Sequence, residues 1–145
     1  RLFLACFAIF VCALMSVAAT SRAAQSFHEI YRTGISHPQR YFAETTHDGT
    51  GRPVVIYYHR YSTALAYFQS FIRAHERCHV SGYHNEVAAS CCALNRLGSS
   101  RSQRAAIGNY IVSRDVNPET VVDYQGQGRL FWSKIEARCL GSASR

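Results

Sequence analysis

A stripe of five residues between Leu65 and His79 constrains this chain more than any other feature. Leu65, Phe68, Ile72, His75 and His79 recur at steps of three and four, which places them on one face of a helix. The face begins apolar and ends in imidazoles. A soluble helix buries such a stripe, so the histidines are carried inward with it. Ser62 is the expected cap of this helix, and Gly82 its expected stop. Before it, Pro53 to His59 reads Pro-Val-Val-Ile-Tyr-Tyr-His. That run is β-branched and aromatic and has strand length. Its proline stands at the first position, where a strand tolerates one.

The end of the stripe is His75-Glu76-Arg77-Cys78-His79, an HExxH motif. Histidines four apart on a helix point the same way and can share one Zn²⁺. The glutamate beside the first histidine can act as general base towards water on the metal. The bland alternative is a pair of surface histidines with a solvated Glu76. The apolar face leading into the motif, the preceding strand and a nearby third ligand argue for the zinc site. A catalytic zinc takes three protein ligands and keeps one position open. Two residues compete for the third place, His84 and Glu86. The longer pattern HExxHxxGxxH nearly fits, with Gly82 at its glycine, but its last position is Asn85 and His84 comes one residue early. That favours Glu86. Cys78 inside the motif is read as a disulfide partner, since a thiolate there would close the open position.

The remaining segments complete an α+β domain, mostly helical, with a small sheet. Residues 25–41 are partly amphipathic, with Phe27, Ile30 and Tyr31 fit for one helical face. Thr45 to Arg52 has the composition of a loop. Asn85 can cap a second helix carrying Ala88, Cys91 and Leu94 and ending at Leu97-Gly98. Ser99 to Arg114 reads as a third helix. Gly128 to Cys139 reads as a fourth, with Phe131 and Trp132 in the core. His28, His37, His47 and His59 have no ligand spacing and read as surface or packing residues.

Residues 1–21 stand apart from this domain. Leu2 to Ser21 holds no charged residue and turns small at Val17-Ala18-Ala19, the pattern of a secretory signal peptide. The cationic end of such a signal would in part precede Arg1; the alternative is an uncleaved anchor. The expected organisation is therefore a signal over 1–21 and one domain over 22–145, with a secreted or periplasmic destination. Without the signal, fifteen basic residues face nine acidic ones, a net charge of +6. Only Lys134 among them is a lysine, so the basic surface is an arginine surface. This charge suits acidic partners but falls short of a nucleic-acid binder. No stretch after residue 21 is apolar enough to span a membrane. Cys78, Cys91, Cys92 and Cys139 remain, an even number that suggests two disulfides in an exported chain. Adjacent cysteines seldom pair with each other. That leaves one of Cys91 and Cys92 for Cys139 and the other for Cys78.

From Arg52 to Leu97 the sequence resembles the short exported bacterial metallopeptidases of the gluzincin kind. In these a Tyr-rich strand precedes an HExxH helix, a glycine turn follows, and a second helix reads Asn-Glu-x-x-Ala-Asp-Cys. Here that stretch is Asn85-Glu86-Val87-Ala88-Ala89-Ser90-Cys91. Arg138-Cys139 matches the family's last helix more weakly. The resemblance implies a zincin-like domain with His75, His79 and Glu86 as ligands, Glu76 as base and Cys91 as a structural cysteine. Two departures stand out: Ser90 replaces an aspartate that orients a ligand histidine, and Asp123-Tyr124-Gln125-Gly126 stands where a His-Pro-x-Gly stretch belongs.

The expected function is that of an exported zinc-dependent peptidase acting on a peptide or protein. Tyr124, Tyr110 and His84 are candidate donors to the oxyanion, and Val54–Tyr58 could pair with an extended peptide along its edge. One alternative is a zinc-binding structural or regulatory envelope protein that lost turnover, motivated by Ser90. Another is a metal-free basic domain that binds anionic envelope polymers.

Overall fold

The computed structural model describes residues 26–32, 41–116 and 127–141. The expected signal over 1–21, and with it His37, Tyr124 and the Asp123–Gly126 stretch, lies outside the described residues. Within them the fold is α+β, mostly helical, with one small sheet. Its strands are β1 (His28–Arg32), β2 (Ala43–His47) and β3 (Pro53–Tyr58), in the order β1-β3-β2. The parallel partner of β3 is β1, with Tyr31 opposite Tyr57. Its antiparallel partner is β2, with Thr45 opposite Val55. The run of β-branched and aromatic side chains in β3 thus forms the centre of the sheet and is buried almost throughout.

Two segments depart from the sequence expectation. Of the stretch expected to be amphipathic, His28–Arg32, with Ile30 and Tyr31, is a strand, not a helix; Phe27 precedes it. Five residues are too few to display a period, and β1 exists because β3 pairs with it; Tyr31 stacks on Tyr57 at 4.9 Å. The stretch from Thr45 is a loop only from Asp48 onward. Ala-Glu-Thr-Thr-His has no apolar alternation, yet it extends as the second edge because a tight turn returns the chain. Asp48 builds that turn by accepting from the Thr50 and Arg52 backbone amides at 2.8 and 3.0 Å.

The helices are α1 (His59–Ser62), α2 (Ala66–Val80), α3 (Glu86–Arg96), α4 (Arg101–Ser113) and α5 (Gln127–Ile135), with a wider π-type turn over Glu136–Leu140. Ser62 is not the cap of α2. It ends the short α1, where its hydroxyl donates to the His59 carbonyl. Leu65 precedes α2 and is 55% exposed, so the inward stripe starts one turn later, at Phe68. Asn85 does cap α3, accepting from the Ala88 amide at 3.0 Å. Ser100 and Gln103 form a reciprocal capping box on α4.

The core joins Val55 and Tyr57 of β3, Phe68, Phe71 and Ile72 of α2, Leu94 of α3, Ile107 and Ile111 of α4, and Phe131, Trp132 and Ile135 of α5. Gly108 lets α4 and α5 touch. A methyl group there would come within 2.3 Å of the Trp132 ring. Two disulfides tie the helices together, Cys78 to Cys92 and Cys91 to Cys139. The first joins α2 to α3, and the second joins α3 to the C-terminal turn.

Candidate metal centre

The site is made by one reversal of the chain. After Val80, Gly82 takes φ +93°, a conformation that costs a side-chain-bearing residue but not glycine. The Gly82 amide then donates to the His79 carbonyl at 2.9 Å and the Tyr83 amide to Cys78 at 3.1 Å. This double closure of a helix end turns the chain sharply, and Asn85 starts α3 three residues later. Glu86, the first residue of α3, thereby faces the last turn of α2. A carboxylate also suits that position, because the helix N-terminus carries partial positive charge.

His75, His79 and Glu86 consequently converge, their ligand atoms all within 4.8 Å of one another. His75 Nε2 lies 2.9 Å from His79 Nε2 and 2.9 Å from Glu86 Oε2. His79 Nε2 lies 3.4 Å from the same carboxylate oxygen. Three lone-pair atoms so spaced could hold a metal ion. Ligands about 2.0–2.1 Å from a tetrahedral zinc stand about 3.3–3.4 Å apart, and the observed triangle needs only slight expansion to reach that. The His75 side chain is 7% exposed, His79 14% and Glu86 29%. The group is therefore closed behind His75 and open towards Glu86.

Each histidine is oriented from behind. The Ser90 hydroxyl, fully buried, sits 3.1 Å from His75 Nδ1. In the metal-free chain Nε2 faces the Glu86 carboxylate; with a metal on Nε2, Nδ1 would carry the proton and donate to Ser90. The His79 ring donates to the Tyr83 backbone, which steadies it and favours its charged form. Burial disfavours a charged His79, but its hydrogen bond to Glu86 and the charges of Glu86 and Glu76 outweigh this and raise its pKa. Burial likewise disfavours the Glu86 carboxylate, yet the hydrogen bonds from His75 and His79 hold it at about 2.

Glu76 follows His75 on α2, and its charge adds to the rise in the His79 pKa. It is buried, and its Oε2 accepts a 2.7 Å hydrogen bond from the Thr45 hydroxyl of β2. Thr45 did not stand out in the sequence, where it sits in a stretch of polar residues. No local pattern could reveal it, since its partner is 31 residues away.

Other expected site residues fall outside this group. His84 is exposed and does not join it. Tyr110 stacks on Phe68 at 4.1 Å as part of the packing, with nothing to mark it as an oxyanion donor. Cys78 is bonded to Cys92 and offers no thiolate. The strand β3 is paired on both sides, so Val54–Tyr58 has no edge to offer a peptide. His28, His47 and His59 are on the surface. No helix among the described residues is long and apolar enough to cross a membrane, and the disulfides are compatible with an extracellular setting.

No family model matches the chain, and no match is found among curated proteins or among solved structures.

Proposed function

We propose that this protein is an exported zinc-dependent peptidase of zincin-like fold, related to the gluzincins. The observation that carries the reading is the His75–His79–Glu86 triangle, with the buried Glu76 next to His75 in the chain. Two imidazoles and one carboxylate form a donor set used by catalytic zinc. Three protein donors would leave room for one further ligand, and the group is most exposed at Glu86. When bound, zinc supplies Lewis-acid polarisation of a carbonyl and an acidified water.

The chain's own residues do the rest. His75, His79 and Glu86 hold the ion. Glu76 accepts the proton of the attacking water and passes it to the leaving amine. Burial keeps its carboxylate poorly solvated, and Thr45 occupies one of its oxygens, which leaves the other for the proton. The edge strand β2 runs beside Glu76 through Thr45. Among the described residues no further strand pairs with its far side, so a peptide laid there has backbone groups to bond. The motive for a zinc domain without turnover was the missing aspartate, and the Ser90 bond to His75 weakens that motive.

The test is zinc content and peptide cleavage on the disulfide-intact chain, with Glu76→Gln and Glu86→Ala. About one zinc per chain is expected in the wild type and in Glu76→Gln, with strong loss in Glu86→Ala. Cleavage should fall by about 10²–10⁴-fold in Glu76→Gln, the usual loss for a general base. A wild type without zinc under metal-replete conditions overturns the reading, as does a Glu76→Gln variant that cleaves normally.

A further inference from the structure

We propose that Thr45 is a positioning residue: its hydroxyl fixes the Glu76 carboxylate so that one oxygen is held by the sheet and the other is free for proton transfer. This rests on the peptidase reading of the site, to which it adds a residue outside both ligand-bearing helices.

The geometry carries the inference. The Thr45 hydroxyl lies 2.7 Å from Glu76 Oε2 and 3.3 Å from the backbone carbonyl of the same residue. A hydroxyl has one proton to give, and the shorter contact to the charged acceptor takes it. Glu76 itself is 6% exposed, so water does not replace this donor readily. Thr45 is also stiff. It is the middle residue of β2, set opposite the wholly buried Val55 of the central strand. Its β-branched side chain has few rotamers to explore. The hydroxyl is thus held by the sheet, whereas the Glu76 backbone is held by α2. A glutamate has three side-chain torsions, and without an anchor its carboxylate can swing. General-base catalysis depends on hydrogen-bond reach to the proton, and small misplacements of a reacting group are costly. The hydrogen bonds of the Thr45 hydroxyl go to Glu76 and not to His75, His79 or Glu86. Thr45 acts through Glu76.

The test is a double-mutant cycle on the zinc-loaded chain, with two readouts. The first is the kcat and KM of peptide cleavage. The second is the affinity for acetohydroxamate, a small zinc chelator with a proton to share with a neighbouring carboxylate. Thr45→Val should keep one zinc, lose about 10–100-fold in kcat as is typical of supporting hydrogen bonds, leave KM nearly unchanged and weaken hydroxamate binding. Thr45→Ser, which keeps the hydroxyl, should recover most of both. Adding Thr45→Val to Glu76→Gln should cost little more, because the two residues act as one unit. Should valine prevent folding, Thr45→Ala carries the same test. Full additivity with Glu76→Gln overturns the proposal, as does a Thr45→Ser variant as weak as Thr45→Val. A zinc-loaded wild type that binds hydroxamate but cleaves no peptide overturns the peptidase reading alone, since the hydroxamate cycle still decides the role of Thr45.

Discussion

Ser90→Ala is the sharpest test of how the candidate metal centre is held. The substitution removes one oxygen and little volume. What it removes is the partner of His75 Nδ1, 3.1 Å away. Ser90 is fully buried and His75 is 6% exposed, so solvent has little access to the gap. Two effects follow. A buried ring nitrogen left without its hydrogen-bond partner costs about 1–3 kcal/mol of folding stability. The ring also loses the bond that selects its tautomer and orientation, and such losses reduce metal affinity by about 10–100-fold, or about 1.4–2.7 kcal/mol. The two effects are separable. Chemical denaturation of the chelator-treated protein reads the first. Competition for zinc against a fluorescent chelator reads the second. Thr is the control, because Ser90→Thr keeps the hydroxyl at the expense of an added methyl. Zinc affinity within about twofold of wild type in Ser90→Ala would refute the reasoning, because the His75 ring would then be oriented by its packing alone.

Two further outcomes follow from the structure. In the metal-free chain the His79–Glu86 pair makes stability depend on pH from both sides. Glu86 falls from an ordinary 4.5 to about 2, so its contribution is present above 4.5 and is lost as pH falls towards 2. His79 rises above its ordinary 6.5, so its contribution is present below 6.5 and is lost as pH climbs through the folded value. Glu86 is held by His75 as well as His79, so melting temperatures of chelator-treated protein should peak between these limits, and Glu86→Gln should flatten the curve; an unchanged curve in that variant contradicts the assignment. Gly108→Ala should destabilise the fold by about 1–3 kcal/mol, the usual range for overpacking, because its methyl would meet the Trp132 ring at 2.3 Å; denaturant titration showing no loss would mean that α4 and α5 separate at little cost.

Much of the candidate metal centre is legible locally because its logic is local. His75, Glu76 and His79 share five consecutive residues, and helical spacing alone aligns the two imidazoles. Gly82 and Asn85 mark the end of one helix and the start of the next, and His84 falls one residue early in the longer pattern, which favours Glu86. The disulfide partners were narrowed by chemistry to two arrangements, and the adjacent cysteines Cys91 and Cys92 gave no local reason to choose between them. Packing chose: Cys92 faces α2 and Cys91 faces the C-terminal turn.

The sequence by itself determined the central strand, the ligand-bearing helix pair and the turn between them, since hydrophobic period, capping and glycine conformation act over a few residues. Only the tertiary structure decided the edges of the sheet and the surroundings of the site. Ile30 and Tyr31 belong to a strand because β3 lies beside them, not because of their own spacing. Thr45 reaches Glu76 because β2 is drawn along β3 and α2 packs over it. Ser90 reaches His75 because α3 folds back onto α2. Such contacts join residues far apart in the chain, and no local pattern encodes a partner that the fold alone supplies.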